Sequence, residues 1–410
     1  MAELTSVFGG ARKIGASAAV FESESLPNIN RLGGVIKIAE PLEGGADRRD
    51  ATNVVRSTEV ASGAKGLTEF LKGLPEGKIT LGLSDYSKNT NAQAVKAEAM
   101  KLKKILVRHG HSVRLIEVGA AVIPTATVLH NGLSGKNPKK VELIRCGGRY
   151  YRTIGVQDID AYARRDQARP ARDARVGMLP PKLAQILINL CGPLPEGARV
   201  LDPFCGTGVV LQEALLMGYR AYGTDLEPRM VEYSLKNLKW LVSGDKIDTS
   251  LDTLVLARRY GARFARSAPR WSRMVEKSTI LSPSDLFTVS QGDATNYTWA
   301  QPIDAVACEA YLGRPMSTIP PEIKLKQEKQ VVSGIILQFL KNLAGQIKPG
   351  TPVVVAMPAW LRADNTYSRL NILDEIEKLE YNVSKTSLDG LLYFRVGQIV
   401  ARDIIILRKK

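Results

Sequence analysis

The rhythm of apolar positions changes near residue 180. Beyond it, short apolar runs alternate with stretches of helical period, the pattern of a largely parallel sheet covered by helices. Pro180 and Pro181 open a helix in which Leu183, Ile186, Leu187 and Leu190 repeat at helical spacing. Val200 and Leu201 then read as a strand that ends in Asp202. Residues 209–217 form the next amphipathic segment, and 220–224 the next strand. Pro228 suits a first helical turn, since it has no N–H to satisfy, and Met230, Ser234, Leu235 and Leu238 follow on one face. Residues 287–291 and 303–308 read as a third and fourth strand, and 391–407 as a closing hairpin around Gly397. Before residue 180 the pattern mixes the two periods. A β-like run at 34–38 lies among glycine-rich turns, and strands at 78–83, 112–118, 141–145 and 150–153 surround a helix at 92–104. The expected architecture is an α+β region over 1–153, divided near 75, then a linker over 154–180. A doubly wound α/β domain over 181–410 follows, with an insertion at about 243–284.

Composition narrows the class. The chain has 410 residues, 44% of them hydrophobic, enough for more than one core. Its apolar runs are far shorter than the roughly 18–20 residues of a membrane span, so no membrane role is expected. The first twenty residues lack a basic-then-apolar signal layout, which points to an intracellular, cytoplasmic protein. Cys146, Cys191, Cys205 and Cys308 form no Cys-x-x-Cys pair, and His109, His111 and His130 form no ligand spacing, so neither disulfide nor metal is expected. His109 and His111, in a basic neighbourhood, read as surface residues.

The net charge of +16 is unevenly placed. Residues 1–100 are balanced, with twelve basic and twelve acidic side chains. Residues 101–180 carry sixteen basic against six acidic, and 251–277 seven against two. These patches fit a polyanionic partner held through phosphates. In the insertion, Arg259, Arg263 and Arg266 share one helical face and Leu256, Tyr260 and Phe264 another, with Pro269 ending the helix and Arg270 and Arg273 beyond it.

Candidate chemistry gathers at the strand ends. The first strand runs into Asp202-Pro203-Phe204-Cys205-Gly206-Thr207-Gly208. No Gly-x-Gly-x-x-Gly completes a pyrophosphate cradle, because Leu211 takes the third position. The form Asp-x-Phe-x-Gly-x-Gly instead resembles the S-adenosylmethionine motif of methyltransferases acting on exocyclic amines. Asp225 ends the second strand, seventeen residues after Gly208, where α/β cofactor sites bind ribose hydroxyls. Asp293, beside Ala294, ends the third. The fourth leads into Glu309-Ala310-Tyr311-Leu312, where amino-methyltransferases carry Asp/Asn-Pro-Pro-Tyr/Phe. Here glutamate replaces the shorter acceptor, alanine the first proline, and the aromatic stands one position early.

The matches at 201–208, at Gly223-Thr224-Asp225 with Pro228, and at 177–184 resemble the THUMP-domain tRNA guanine-N2 methyltransferases, which act on a D-arm guanosine, commonly position ten. The resemblance implies a ferredoxin-like region over 1–75, a THUMP-like RNA-binding module over 76–153, and a Rossmann-type S-adenosylmethionine-dependent methyltransferase domain over 181–410. It implies that Asp202, Phe204, Gly206, Gly208, Asp225 and Asp293, with Pro203, Cys205, Leu226 and Ala294 beside them, lie on the cofactor. It places Glu309, Ala310, Tyr311 and Leu312 on the target base, with tRNA as partner and a small activating subunit as a further candidate. Two other readings share these residues: methylation of DNA adenine or rRNA guanine, and RNA binding without catalysis.

Overall fold

Each unit of the chain is built around its own sheet, and the two units meet in sequence at Ile159 and Asp160. The computed structural model describes residues 1–15, 17–42, 63–173, 178–243, 286–388, 390–395 and 397–410. The arginine faces expected at 259–273 therefore lie outside the described residues.

In the first unit, helix α1 (Ala2–Phe8) precedes a two-stranded ribbon of β1 (Arg12–Lys13) and β2 (Ala19–Val20). A five-stranded sheet has the order β3-β7-β6-β4-β5. Its strands are β3 (Lys37–Pro41), β4 (Lys78–Asp85), β5 (Ser112–Ile116), β6 (Lys140–Cys146) and β7 (Arg149–Val156). Helices α2 (Gly63–Lys72), α3 (Ala92–Arg108) and α4 (Thr125–His130) belong to the same unit. The run expected as a strand at 34–38 starts later. The Gly33 and Gly34 amides donate to the Glu3 carboxylate at 2.8 Å each, which takes that backbone out of the ladder. Strand β3 pairs antiparallel with β7, so it is the edge of the sheet made by the following residues. Among the described residues, 1–75 therefore form no ferredoxin-like sheet of their own. His111 is a further correction. The turn after α3 passes through Gly110 at φ +84° and brings the His111 N–H onto the Leu106 carbonyl at 3.1 Å. The side chain ends buried, not at the surface.

The second unit has strand order β10-β9-β8-β11-β12-β16-β14, with β13 and β15 on the flanks. The strands are β8 (Arg199–Asp202), β9 (Arg220–Asp225), β10 (Phe287–Gln291), β11 (Ala305–Glu309), β12 (Pro352–Leu361), β13 (Tyr367–Ser368), β14 (Tyr381–Val383), β15 (Leu392–Tyr393) and β16 (Val400–Lys409). Strands β10 to β12 in this order are parallel, and β16 enters antiparallel between β12 and β14. This is the doubly wound sheet expected from the alternation. Its strand order reverses between β8 and β11, where such sheets open a crevice at their carboxyl ends.

Helices cover both faces. On one, α6 (Pro181–Leu190) and α7 (Val209–Leu216) pack Leu183, Leu187, Val210 and Ala214 against Val200, Ala305 and Val354. On the other, α9 (Glu322–Ala344) brings Val332, Ile336 and Phe339 against Leu201, Val306 and Val355. Burying each Leu or Ile side chain stabilises the fold by about 1.5–3 kcal/mol. Helix α8 (Pro228–Ser243) follows β9, with Leu238 against Leu211 and Leu215. No helix among the described residues is long and apolar enough to cross a membrane.

Of residues 154–180, expected as a linker, 154–173 and 178–180 are described, and they include regular elements. Strand β7 runs to Val156, and α5 (Ile159–Gln167) then packs in the second unit. The alternation of acids and arginines has a physical cause. Glu213 is fully buried in α7, and Arg165 supplies its counter-charge, Nε to Oε1 at 2.8 Å. The Arg165 guanidinium also lies over the Tyr162 ring, 4.4 Å from its centroid. Asp173 pairs with Arg229, while Arg164 and Arg172 face solvent. Removing one member of a buried pair leaves an uncompensated charge. Arg165→Met is therefore expected to cost about 3–5 kcal/mol in denaturant unfolding. Adding Glu213→Leu should restore most of that loss, and equal stability of Arg165→Met and wild type would show that the pair is not structural.

Candidate functional site

The carboxyl ends of β8, β9, β10 and β11 present Asp202, Asp225, Asp293 and Glu309 along one edge of the sheet. The loop after β8 shapes that edge. Gly206 and Gly208 both have positive φ, +50° and +82°. A Cβ on Gly208 would sit 3.2 Å from the Ser234 Cα, so only glycine lets α8 approach. A Cβ on Gly206 would meet nothing within 4 Å, which marks open space above the turn.

Hydrogen bonds from neighbouring elements hold the loop. The Gly206 N–H donates to Asp225 Oδ2 at 2.8 Å, and the Glu227 N–H to Asp225 Oδ1 at 3.0 Å. Ser234 Oγ donates to the Gly206 carbonyl at 2.8 Å. The buried Asn237 amide donates to the Thr207 and Ala171 carbonyls and accepts from the Ala171 N–H, each at 2.9 Å. Cys205 is buried beneath the loop, and its thiol is pushed up by burial. Pro203 is buried, with its carbonyl accepting from Thr224 Oγ1 at 3.4 Å. The Phe204 ring stands edge-on to Phe339, 5.1 Å between centroids.

Asp202 is buried, with Oδ1 accepting from the Phe204 N–H at 3.1 Å. Burial holds its carboxyl well above the usual range, and the charges of Asp225 and Glu309 push the same way. Asp225 is also raised by burial, against the Glu227 and Gly206 bonds that lower it. Asp293 Oδ1 accepts from the Thr295 N–H at 2.9 Å and Oγ1 at 2.7 Å, while the Gly292 N–H joins this turn to the Asp225 carbonyl at 3.0 Å. Ala294 is buried and Leu226 exposed.

Glu309 lies in the same row, with Oε1 accepting from Arg402 Nε at 2.8 Å. Burial raises its carboxyl and Arg402 counters the shift. The Ala310 N–H donates to the Ala356 carbonyl at 3.0 Å, which leaves its side chain buried and turns Tyr311 outward, 39% exposed. Leu312 is half-buried. The structure thus brings together the residues singled out at the four strand ends. Sequence reasoning missed the supports: Asn237, the loop-binding role of Ser234, and Arg402. Arg402 had one visible signal, a charged pair with Asp403 inside the apolar run at 399–407.

Residues 169–326 match the family described as RMKL-like, methyltransferase domain. A tRNA (guanine(10)-N2)-dimethyltransferase of Methanothermobacter thermautotrophicus is 39% identical over 109 residues, 23% of this chain and 32% of that protein. One of the same name from Pyrococcus abyssi is 32% identical over 141 residues, 34% of this chain and 41% of that protein. The chain therefore spans about a third to two-fifths of the length of these relatives. Among solved structures, TrmN from Thermus thermophilus aligns over 84% of this chain and 77% of its own, at 16% identity and a TM-score of 0.40.

The raised Asp202 carboxyl has a consequence for stability. Its unfolded value is near 3.8, so between that pH and its higher folded value the folded chain holds the extra proton. This contribution is complete below about pH 4 and is lost as pH rises through the folded value. Asp202→Asn keeps an acceptor for Phe204 and removes the titration. Urea unfolding at pH 4, 6 and 8 should show the variant gaining on wild type as pH rises, and parallel curves would refute the assignment.

Proposed function

Residues 169–326 match the RMKL-like methyltransferase domain family, and we propose that this chain transfers a methyl group from S-adenosylmethionine to an exocyclic amine of tRNA, N2 of a guanosine. The observation that carries the reading is the row of acids at the carboxyl edge beside the open turn at Gly206. The dimethyltransferase relatives support tRNA guanosine as the substrate.

The residues present fit the cofactor. A side chain at Gly206 would fill the space above the turn, and glycine leaves it clear. A carboxylate offers about four lone-pair sites, and Asp225 spends two on Gly206 and Glu227, keeping acceptors for ribose hydroxyls. Asp293 uses Oδ1 for Thr295, which leaves Oδ2 for an adenine amino group. Phe204, Cys205, Pro203, Leu226 and Ala294 line or support the same turns. When bound, the cofactor supplies a methyl group on a sulfonium cation.

The chain's own part is alignment. Glu309 accepts a hydrogen bond from the target amine through its second oxygen, and the Ala310 carbonyl accepts another. Together they direct the nitrogen lone pair out of the plane of the base. Tyr311, exposed at the edge, packs on the extruded base, with Leu312 beside it. Holding an amine in a near-attack geometry is a large part of such a reaction, and about 1 Å of misplacement can cost on the order of 10²-fold in rate. In the first unit Lys101, Lys104, Arg108, Arg114, Lys136 and Lys139 stand exposed and bind tRNA phosphates. A tRNA substrate is compatible with the cytoplasm as the place of action.

Nucleoside mass spectrometry of tRNA incubated with the protein and labelled cofactor tests this reading. Label in N2-methylguanosine is the expected result, and label in no tRNA nucleoside would overturn it. Asp225→Ala should weaken cofactor binding by about 1.5–3 kcal/mol, the worth of a hydrogen bond to a charged acceptor. Calorimetry giving wild-type affinity in a folded variant would remove Asp225 from the site.

A further inference from the structure

The run of apolar residues in β16 is broken by Arg402 and Asp403, both buried. Arg402 reaches Glu309, 93 residues away in sequence, through a bond from Nε to Oε1 at 2.8 Å. Its side chain is 7% exposed and that of Glu309 15%. The two strands are not neighbours, since β12 runs between them. There Ala356 is in register with Glu309, and Pro358 with Arg402. The ion pair thus spans a whole strand, across one small residue. A second bond, from Nη1 to the Val400 carbonyl at 3.4 Å, steadies the guanidinium.

We propose that Arg402 is the positioning residue for Glu309: it fixes one carboxylate oxygen, keeps the group ionised inside the protein, and presents the other oxygen to the target amine. The inference rests on the methyl-transfer reading above. It also gives the departure from Asp/Asn a reason. A carboxylate that must meet both the amine at the strand end and an arginine beyond β12 needs the extra methylene of glutamate. The charged and titratable groups coupled to Glu309 are Arg402 from β16, whose charge lowers its carboxyl, and Asp202 from β8 and the Cys308 thiol on its own strand, both of which Glu309 raises. Arg402 is the cation among them. Burial favours the protonated form of Glu309, which would lose the charged acceptor, and Arg402 opposes it.

The test is the pH profile of single-turnover methyl transfer to tRNA in the full chain, with circular dichroism to confirm folding. In R402Q the midpoint of the acid limb should rise by about 1–3 pH units, the effect of removing an opposite charge at this range. R402K keeps the charge but not the Nε geometry, so its acid limb should stay near wild type while its plateau rate falls. In an E309Q background, R402Q should shift nothing. An unchanged acid limb in R402Q, or an equal shift in the E309Q background, overturns the proposal. If the wild type methylates no RNA, the methyl-transfer reading fails instead. The pairing is then read from the ¹³C carboxyl titration of Glu309, where an equal midpoint in wild type and R402Q overturns it.

Discussion

The Asp225 carboxylate joins the two turns that the whole cleft depends on. By accepting the amides of Gly206 and Glu227, it fixes the loop after β8 to the loop after β9. The Gly206 carbonyl is in turn held by Ser234, and the carbonyl of Thr207 by Asn237. A glycine turn with positive φ at two positions has many alternatives in isolation, and these bonds leave it one. The cost is electrostatic. Asp202, Asp225 and Glu309 share one edge of the sheet, and desolvation works against the charge on each. Such an arrangement detracts from stability and is kept where function needs acceptors in place before a ligand arrives.

The sheet was legible because punctuation coincides with topology. Glycine and acid residues end the strands at Asp202, Asp225 and Gly292-Asp293, and apolar runs fill the spaces between them. Helix α6 was legible from Pro181 and its repeat of leucines. What stayed hidden depends on partners remote in sequence. Nothing local tells that Arg165 will be buried, because the reason is Glu213, in a helix 48 residues on. His111 reads as a surface residue until Gly110 folds it back beneath the end of α3. At the candidate site the strand-end acids were visible by type and position. Arg402 was not, because its partner is two strands away in a sheet whose order reverses twice.

Glu309 and Asp225 illustrate two solutions to one problem. Asp225 is held by backbone amides, which cost no side-chain entropy and are supplied by the turn itself. Glu309 stands at the end of β11, flanked by strands on both sides, and its support comes from a side chain. Backbone support tolerates many neighbouring sequences. Support by a single arginine ties the site to one position on another strand, so the two residues are expected to change together or not at all.

Asn237 gives the segment before α6 a role of its own. Its amide meets both the N–H and the carbonyl of Ala171, as a neighbouring strand would, and with the same group it holds Thr207. The stretch from Asp160 to Asp173 is thereby part of the floor under the glycine turn. For a chain of two units this sets where the units can be exchanged. Recombination near residue 160 hands on the second unit whole, whereas a fusion point near 175 would deliver its sheet with the cleft unsupported. The natural joint of the chain lies upstream of the place where prolines and arginines make it look severable.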